Sequence, residues 1–465
     1  MLKKIIHILL ALFIVWDLYH SYQQYLNMSL DGDLADNVVP ARAYAHVLKD
    51  PFGWDALAKK RKSAGVNRFF AHASEYVYLR TAPRALQAVT DPISSVYIAC
   101  AIFRLFVHVL LLYLLSVFVT RTYNPFRFNF ILAFTIMTPL LQVNYYAIYM
   151  GVIDHSVTYT FFYAFPLALA LLFFLPLYLK SKPGPFSTIL LFFLSVVLAL
   201  NGPLLPPVIL VISAIVFVVH FYDRYVRKIS TEQNKLERVH FILLFLASCL
   251  ALYSLYLGTF NSDSYAHTAS LAERYMKLPE GIFNILTQKL GYPLFLLMIM
   301  INVLVLRSRK TDESRSVLRV LRYIGLFSFL YIMLLPLGGY REYRPNILRY
   351  DTIMPVTIAL IFFYARSSIF ILSSLHFWRL RAYATLLLGF SAAFTIADID
   401  VEEDNLCERK MIGQIASSPQ DTVRLDTSCT VMSWGLMRDV RYSDVNGEML
   451  YLWHITDHSK LYYQK

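Results

Sequence analysis

Charge is what this chain has least of. Only 16% of its 465 residues are Asp, Glu, Lys or Arg, where a soluble domain carries about a quarter. That deficit excludes an ordinary soluble enzyme of this length. Cysteine is also scarce, with four in all, and no CxxC or Cys/His cluster is present, which removes the usual zinc-site patterns. The start, Met1-Leu2-Lys3-Lys4 followed by an apolar run, has no small-residue cleavage pattern around Trp16 to His20. A retained signal anchor is therefore expected rather than a cleaved leader. Internal repeats of the kind many transporters carry are missing as well.

What fills the chain is apolar surface. Hydrophobic residues make up 57% and mean hydropathy is +0.50. A spanning helix needs roughly 20 mostly apolar residues, and the pattern recurs about eleven times from end to end. The fold class expected is an all-α polytopic membrane protein with about 11 transmembrane helices. The 34 Phe and 33 Tyr fit it, since aromatic rings favour the membrane interface. A net charge of +12 would suggest nucleic acid in a soluble protein. Here the basic residues lie in short connections between apolar runs, so they read as orientation signals, with no nucleic-acid partner.

Placing Lys3 and Lys4 inside sends helix one outward over 5–26 and leaves 27–92 as a long outer loop. The next helices follow at 93–119, 128–147, 157–179, 186–200, 204–222, 241–258, 290–306, 323–337, 351–365 and 382–397. Segment 366–381 reads as a half-buried interfacial helix. Basic connections such as Arg224 to Arg238 and Arg307 to Arg322 then fall on the inner side. The chain divides into a transmembrane part, 1–397, and an exported C-terminal part, 398–465. That tail reads as a small α+β unit, with Cys407 and Cys429 placed to pair in an oxidising exterior. The N-terminus is then cytoplasmic and the C-terminus periplasmic. Short loops and few outer cysteines suit a bacterial inner membrane.

Chemistry-bearing residues cluster in the outer loops. The first opens with Ser29-Leu30-Asp31-Gly32-Asp33-Leu34-Ala35-Asp36-Asn37. In an extended segment Asp31 and Asp33 would face the same side. They would hold a divalent cation (Mg, Mn or Ca), or one would deprotonate an acceptor hydroxyl while the other orients it. A solvated acidic turn or a helix N-cap is the plainer alternative. The loop after helix nine carries Arg341, Arg344, Arg349 and Tyr350. Arginine forks match phosphate oxygens bidentately, and three of them on the outer face go against the charge bias. Internal pairing with Glu342 and Asp351 is the alternative. Asp154 and His155, in the second outer loop, are candidates to complete a site as acid, ligand or sugar contact. Arg104 and His108, one turn apart in helix two, are intramembrane polar groups of the kind that usually have partners. Asp17 in helix one is a possible mate for Arg104.

An acidic motif just outside helix one, followed by a long outer loop, resembles the GT-C superfamily of glycosyltransferases that use polyprenyl-phosphate sugars. Trp54 to Lys62 and Phe69 to Leu86 would be the amphipathic helices lying on the membrane in that loop. The resemblance implies Asp31 as catalytic base with Asp33 supporting it. It also implies that Tyr343 to Asp351 forms a phosphate clamp for the lipid-linked donor. The expected reaction is inverting transfer of a sugar from a polyprenyl phosphate to a glycan, lipid or protein acceptor on the outer face. An envelope-glycan ligase or polymerase uses similar arginines. A lipid-linked sugar flippase or transporter would need more paired polar groups at the membrane midplane than these helices offer.

Overall fold

The computed structural model describes residues 2–40, 44–144, 146, 150–226, 228, 237–262, 269–338, 340, 344, 346–398 and 405–465. In chain order the helices are α1 (Leu2–Asn27), α2 (Leu34–Val38), α3 (Trp54–Lys59), α4 (Phe69–Leu86), α5 (Pro92–Thr120), α6 (Phe128–Met137), α7 (Val157–Tyr159), α8 (Phe165–Leu179), α9 (Pro185–Ala199) and α10 (Leu205–Phe221). They continue with α11 (Arg238–Gly258), α12 (Leu271–Met276), α13 (Leu278–Thr287), α14 (Gly291–Arg309), α15 (Asp312–Leu334), α16 (Tyr350–Ser374), α17 (Phe377–Ala397), α18 (Leu406–Ser417) and α19 (Asp444–Leu452). Strands β1 (Thr422–Leu425) and β2 (Leu461–Gln464) pair in parallel as a two-stranded sheet.

The chain is a multi-pass membrane protein. Among the described residues nine helices are long and apolar enough to cross a bilayer, and two shorter apolar ones, Phe128–Leu140 and Pro185–Ala199, stand where helices three and five were expected. Backbone polar groups in hydrocarbon must be satisfied within the segment, and the helix does this by itself. Large apolar side chains such as Leu12, Phe245, Phe329 and Leu388 are accordingly exposed on the bundle's outside. In lipid that surface is solvated, so its exposure is no defect.

The structure moves several expected boundaries. Helix three stops early: α6 tightens into a 3-10 turn over Thr138–Leu140, where Pro139 removes a backbone donor. The polar residues Gln142 and Asn144 then continue without helix. Helix nine starts at Asp312 rather than 323, capped by Thr311, whose side chain accepts from the Ser314 N–H. Segment 366–381 is not a separate interfacial helix. Its first part continues α16 to Ser374, buried on one side at Ser367, Ser368 and Ile371, and an extended break at Leu375 and His376 precedes α17. The amphipathic stretch from Trp54 ends at Lys59, because Lys60 turns into the left-handed region at φ 49°. The helix over Phe69–Leu86 matches its expected bounds and packs on α5.

The tail folds onto the end of the bundle where α1 ends and α5 begins, as α18, α19 and the strand pair, with Cys407 and Cys429 joined. Glu408 is its anchor. Its buried carboxyl accepts the Leu30 N–H at 2.9 Å, the Met432 N–H at 2.7 Å and the Tyr97 hydroxyl at 2.9 Å. Three elements (the segment after α1, helix α5 and the tail) thus meet at one side chain. Asn405 donates to the carbonyls of Leu26 and Met28. Arg409 lies 3.9 Å over the Tyr97 ring. The Trp453 indole donates to the Leu79 carbonyl at 2.8 Å.

Candidate active site

One cavity of about 910 Å³ opens where the long connection between α1 and α5, the segment before α7, the start of α16 and the tail come together. That is within the range of small-molecule sites, roughly 300–1,000 Å³. Asp33, His72, Asp154, His155, Arg344, Tyr350 and Trp434 all contribute to its wall. Residues spread over four hundred positions are brought together because every connection that supplies them lies at the same end of the bundle.

The acidic motif does not present the joint face expected of it. Residues 31–33 form a turn leading into α2 rather than an extended strand, so the two-residue alternation fails there. Asp31 is buried behind the cavity wall. Its Oδ2 accepts the Ser156 hydroxyl at 2.8 Å and the Thr158 N–H at 3.2 Å. Its Oδ1 accepts the Thr158 hydroxyl at 2.9 Å and the Asp33 N–H at 3.2 Å. Burial lifts the carboxyl above its ordinary range against the pull of these bonds. With both oxygens occupied, Asp31 and Asp33 do not form a shared ligand set for a divalent cation. Among the described residues no group of three or more His, Cys, Asp or Glu is placed to hold a metal.

Asp33 faces the cavity and accepts the Trp434 indole N–H at 3.1 Å. Gly32 makes that contact possible. A Cβ there would sit 2.6 Å from the Trp434 backbone N and ring, so only glycine lets the tail approach this closely. Gly151 does the same on the other wall, with φ +53° and a notional Cβ 2.5 Å from the Tyr350 ring.

Asp154 also lines the cavity, half-buried, with one oxygen taking the Ser156 N–H at 2.8 Å. Surrounding protein pushes its carboxyl up to about 7, and the negative charge of Asp351 adds to the rise. His155 lines the cavity, and its carbonyl accepts from the Arg104 guanidinium. Arg104 therefore ties α5 to this loop and does not pair with Asp17, whose Oδ1 accepts instead from Gln142 at 2.6 Å. His108 bonds the Tyr25 hydroxyl at 2.9 Å. Neither Arg104 nor His108 lines the cavity.

The arginine cluster divides. Arg344 lines the cavity, lies over the Tyr159 ring at 5.3 Å, donates to its hydroxyl and stands 3.8 Å from an Asp351 oxygen. Arg349 does not line the cavity. Its fork is taken bidentately by Asp351, at 3.1 and 2.8 Å. Tyr350 is in the wall. Arg341 lies outside the described residues, as do Glu342, Tyr343 and Pro345.

Sequence reasoning missed the group behind the wall. Glu75, on α4, is fully buried. The Thr158 hydroxyl lies 2.7 Å from Glu75 Oε1 and 2.9 Å from Asp31 Oδ1. A hydroxyl has one proton to give, so one carboxyl must donate. Burial first, and the Asp31 charge second, hold Glu75 well above the ordinary carboxyl range, which makes Glu75 the protonated partner. It donates to Thr158, and Thr158 donates to Asp31. Next to it, His72 Nδ1 bonds Asn37 Oδ1 at 2.8 Å. Burial drives the His72 ring's pKa down to about 3, so it stays neutral.

Glu75→Gln keeps a donor at the same place. Its melting temperature is therefore expected to match wild type within about 2–4 °C, the shift that 1 kcal/mol makes in a larger domain. A much larger fall in a thermal melt would mean that Glu75 is ionised.

The span Val157–Leu179 carries a π-helical turn at Thr160–Ala164. Such turns are frequent at functional sites. Here it falls where Tyr159, Phe162 and Tyr163 enter the wall. Tyr159 and Trp434 lie 6.0 Å apart by ring centroid and give the cavity an aromatic side. Carboxyls, two arginines (Arg68 and Arg344) and aromatic faces thus share one wall, a set suited to a polar ligand with an anionic group. Comparison with protein-family models, curated proteins and solved structures finds no match for this chain.

Proposed function

We propose that this chain is an inverting glycosyltransferase of the GT-C type. It would move a sugar from a polyprenyl phosphate to an acceptor hydroxyl on a glycan, lipid or protein, at the outer face of a bacterial inner membrane. The observation that carries the reading is the convergence of Asp33, Asp154, Arg344 and Tyr350 on one cavity at the end of a membrane bundle.

In this reading the lipid chain lies along the apolar helices and its phosphate reaches Arg344. Guanidinium and phosphate form charge-assisted hydrogen bonds, which strengthen as the leaving group gains charge. The sugar lies against Tyr159 and Trp434, aromatic surfaces that take its C–H faces. The acceptor oxygen attacks the anomeric carbon, and the bond from that carbon to the phosphate oxygen breaks. The electron pair leaves with the polyprenyl phosphate, and the acceptor proton goes to Asp154. A carboxyl near 7 is half ionised at neutral pH and close to optimal as a general base. Asp33 orients the acceptor. Asp31, which touches only protein, is a positioning residue that fixes the Ser156–Thr158 turn beside Asp154.

The test is transfer by purified protein in lipid from a panel of labelled polyprenyl-phosphate sugars. Wild type should transfer from at least one. Arg344→Ala should raise the KM for that donor by roughly ten- to a hundredfold, the effect of losing a hydrogen bond to a charged group. Donor binding without transfer from any sugar would replace this reading with a flippase. No binding by folded protein would remove both.

A further inference from the structure

A second polar cluster lies inside the membrane bundle, and none of its members lines the outer cavity. Asp17 stands about 15 Å below the outer end of α1, at 1.5 Å per residue. Its Oδ1 accepts from Gln142 Nε2 at 2.6 Å. Asp398, at the end of α17, accepts from Gln24 Nε2 at 3.0 Å and from the Asn144 backbone N–H at 3.0 Å. Asp398 and His20 are the titratable groups nearest in effect to Asp17, and His20 Nε2 lies 3.7 Å from an Asp398 oxygen.

The remaining atoms are informative. Both glutamines have their nitrogens committed to carboxylates, so what each leaves over is an oxygen. Gln24 Oε1, Gln142 Oε1, Asn144 Oδ1 and Asp17 Oδ2 are all buried and have no hydrogen-bond partner. Each of these side chains is at most 5% exposed. An unsatisfied buried acceptor costs about 1–3 kcal/mol, and four in one neighbourhood need something that supplies positive charge to oxygen. Carboxylates and amide carbonyls are hard ligands suited to alkali and alkaline-earth ions. Inside transmembrane bundles, ionisable residues mark ion paths and sites.

We propose that Asp17, Gln24, Gln142, Asn144 and Asp398 form a binding site for a hard cation, sodium or calcium, within the bundle. The ion joins α1, the non-helical segment after α6 and the start of the tail. The site is independent of the glycosyl-transfer reading.

The test uses the full chain in lipid, washed into choline chloride, with radioactive sodium and radioactive calcium each added alone. Equilibrium binding and thermal melting are read together. One of the two ions should bind at one per chain and raise the melting temperature. Binding should be lost in Asp17→Asn and in Asn144→Leu. The second variant keeps the backbone donor to Asp398, so it decides the matter if the first does not fold. Loss of binding in either folded variant supports the site. No binding of either ion to wild type, or binding unchanged in both variants, overturns it and leaves the oxygens to buried water.

Discussion

Asp154→Asn is expected to slow sugar transfer by roughly 10²–10⁴-fold, the usual contribution of a general base, while leaving the melting temperature near that of wild type. The side chain keeps its shape, and its oxygen can still accept the Ser156 N–H. What disappears is the ability to take a proton. The pH profile is the sharper measure. Burial raises this carboxyl to about 7, so it is protonated and inactive as a base below that value. Wild-type transfer should therefore climb as pH rises through about 7, and the residual transfer of the variant should lack that rise. Asp31→Asn is the contrasting control. An amide cannot accept all four of the donors that now reach Asp31, so its loss of transfer should come with a lower melting temperature. A full-rate Asp154→Asn enzyme would take the base role away from this residue.

The largest effect on stability is expected at Glu408. Glu408→Ala strands two backbone N–H groups and one tyrosine hydroxyl in a buried place. At about 1–3 kcal/mol for each unsatisfied donor, the loss is on the order of 3 kcal/mol or more. It falls on the docking of the tail rather than on the membrane helices. Limited proteolysis should cut the variant's tail at concentrations of protease that leave wild type intact, with the spans protected in both. Transfer should fall as well, because Trp434 leaves the cavity with the tail. A tail as resistant as that of wild type would show that Asn405, Arg409 and Trp453 suffice to hold it.

Hydropathy made the bundle legible, because a helix in lipid must be predominantly apolar along its length. It also located the ends that matter: Asp33, Asp154, Arg344 and Tyr350 were all readable as outer-loop polar groups, and they share a wall. What was not readable was direction. Asp31 and Asp33 look equivalent in sequence, but the turn at Gly32 sends one inward to Thr158 and the other to Trp434. Glu75 lies in the helix expected to be amphipathic over Phe69 to Leu86, and nothing local signals a partner 83 positions away. Arg349 looks like Arg344, yet Asp351, two residues on, takes its fork. Short-range pattern gives the element and its environment. Pairing across the bundle depends on which ends meet, and only the folded chain supplies that.

The contact between Asp33 and Trp434 spans 401 positions, so the cavity wall joins an early-made part of the chain to a late-made one. During synthesis the membrane helices can insert and pack while that wall is still open on one side. The wall is complete only when the tail, bridged at Cys407–Cys429 and anchored by Glu408, brings Trp434 to it. A nascent or stalled chain thus holds the acidic turn without the aromatic face that Trp434 gives the cavity. Completion of the cavity is timed by the last step of the chain's own assembly.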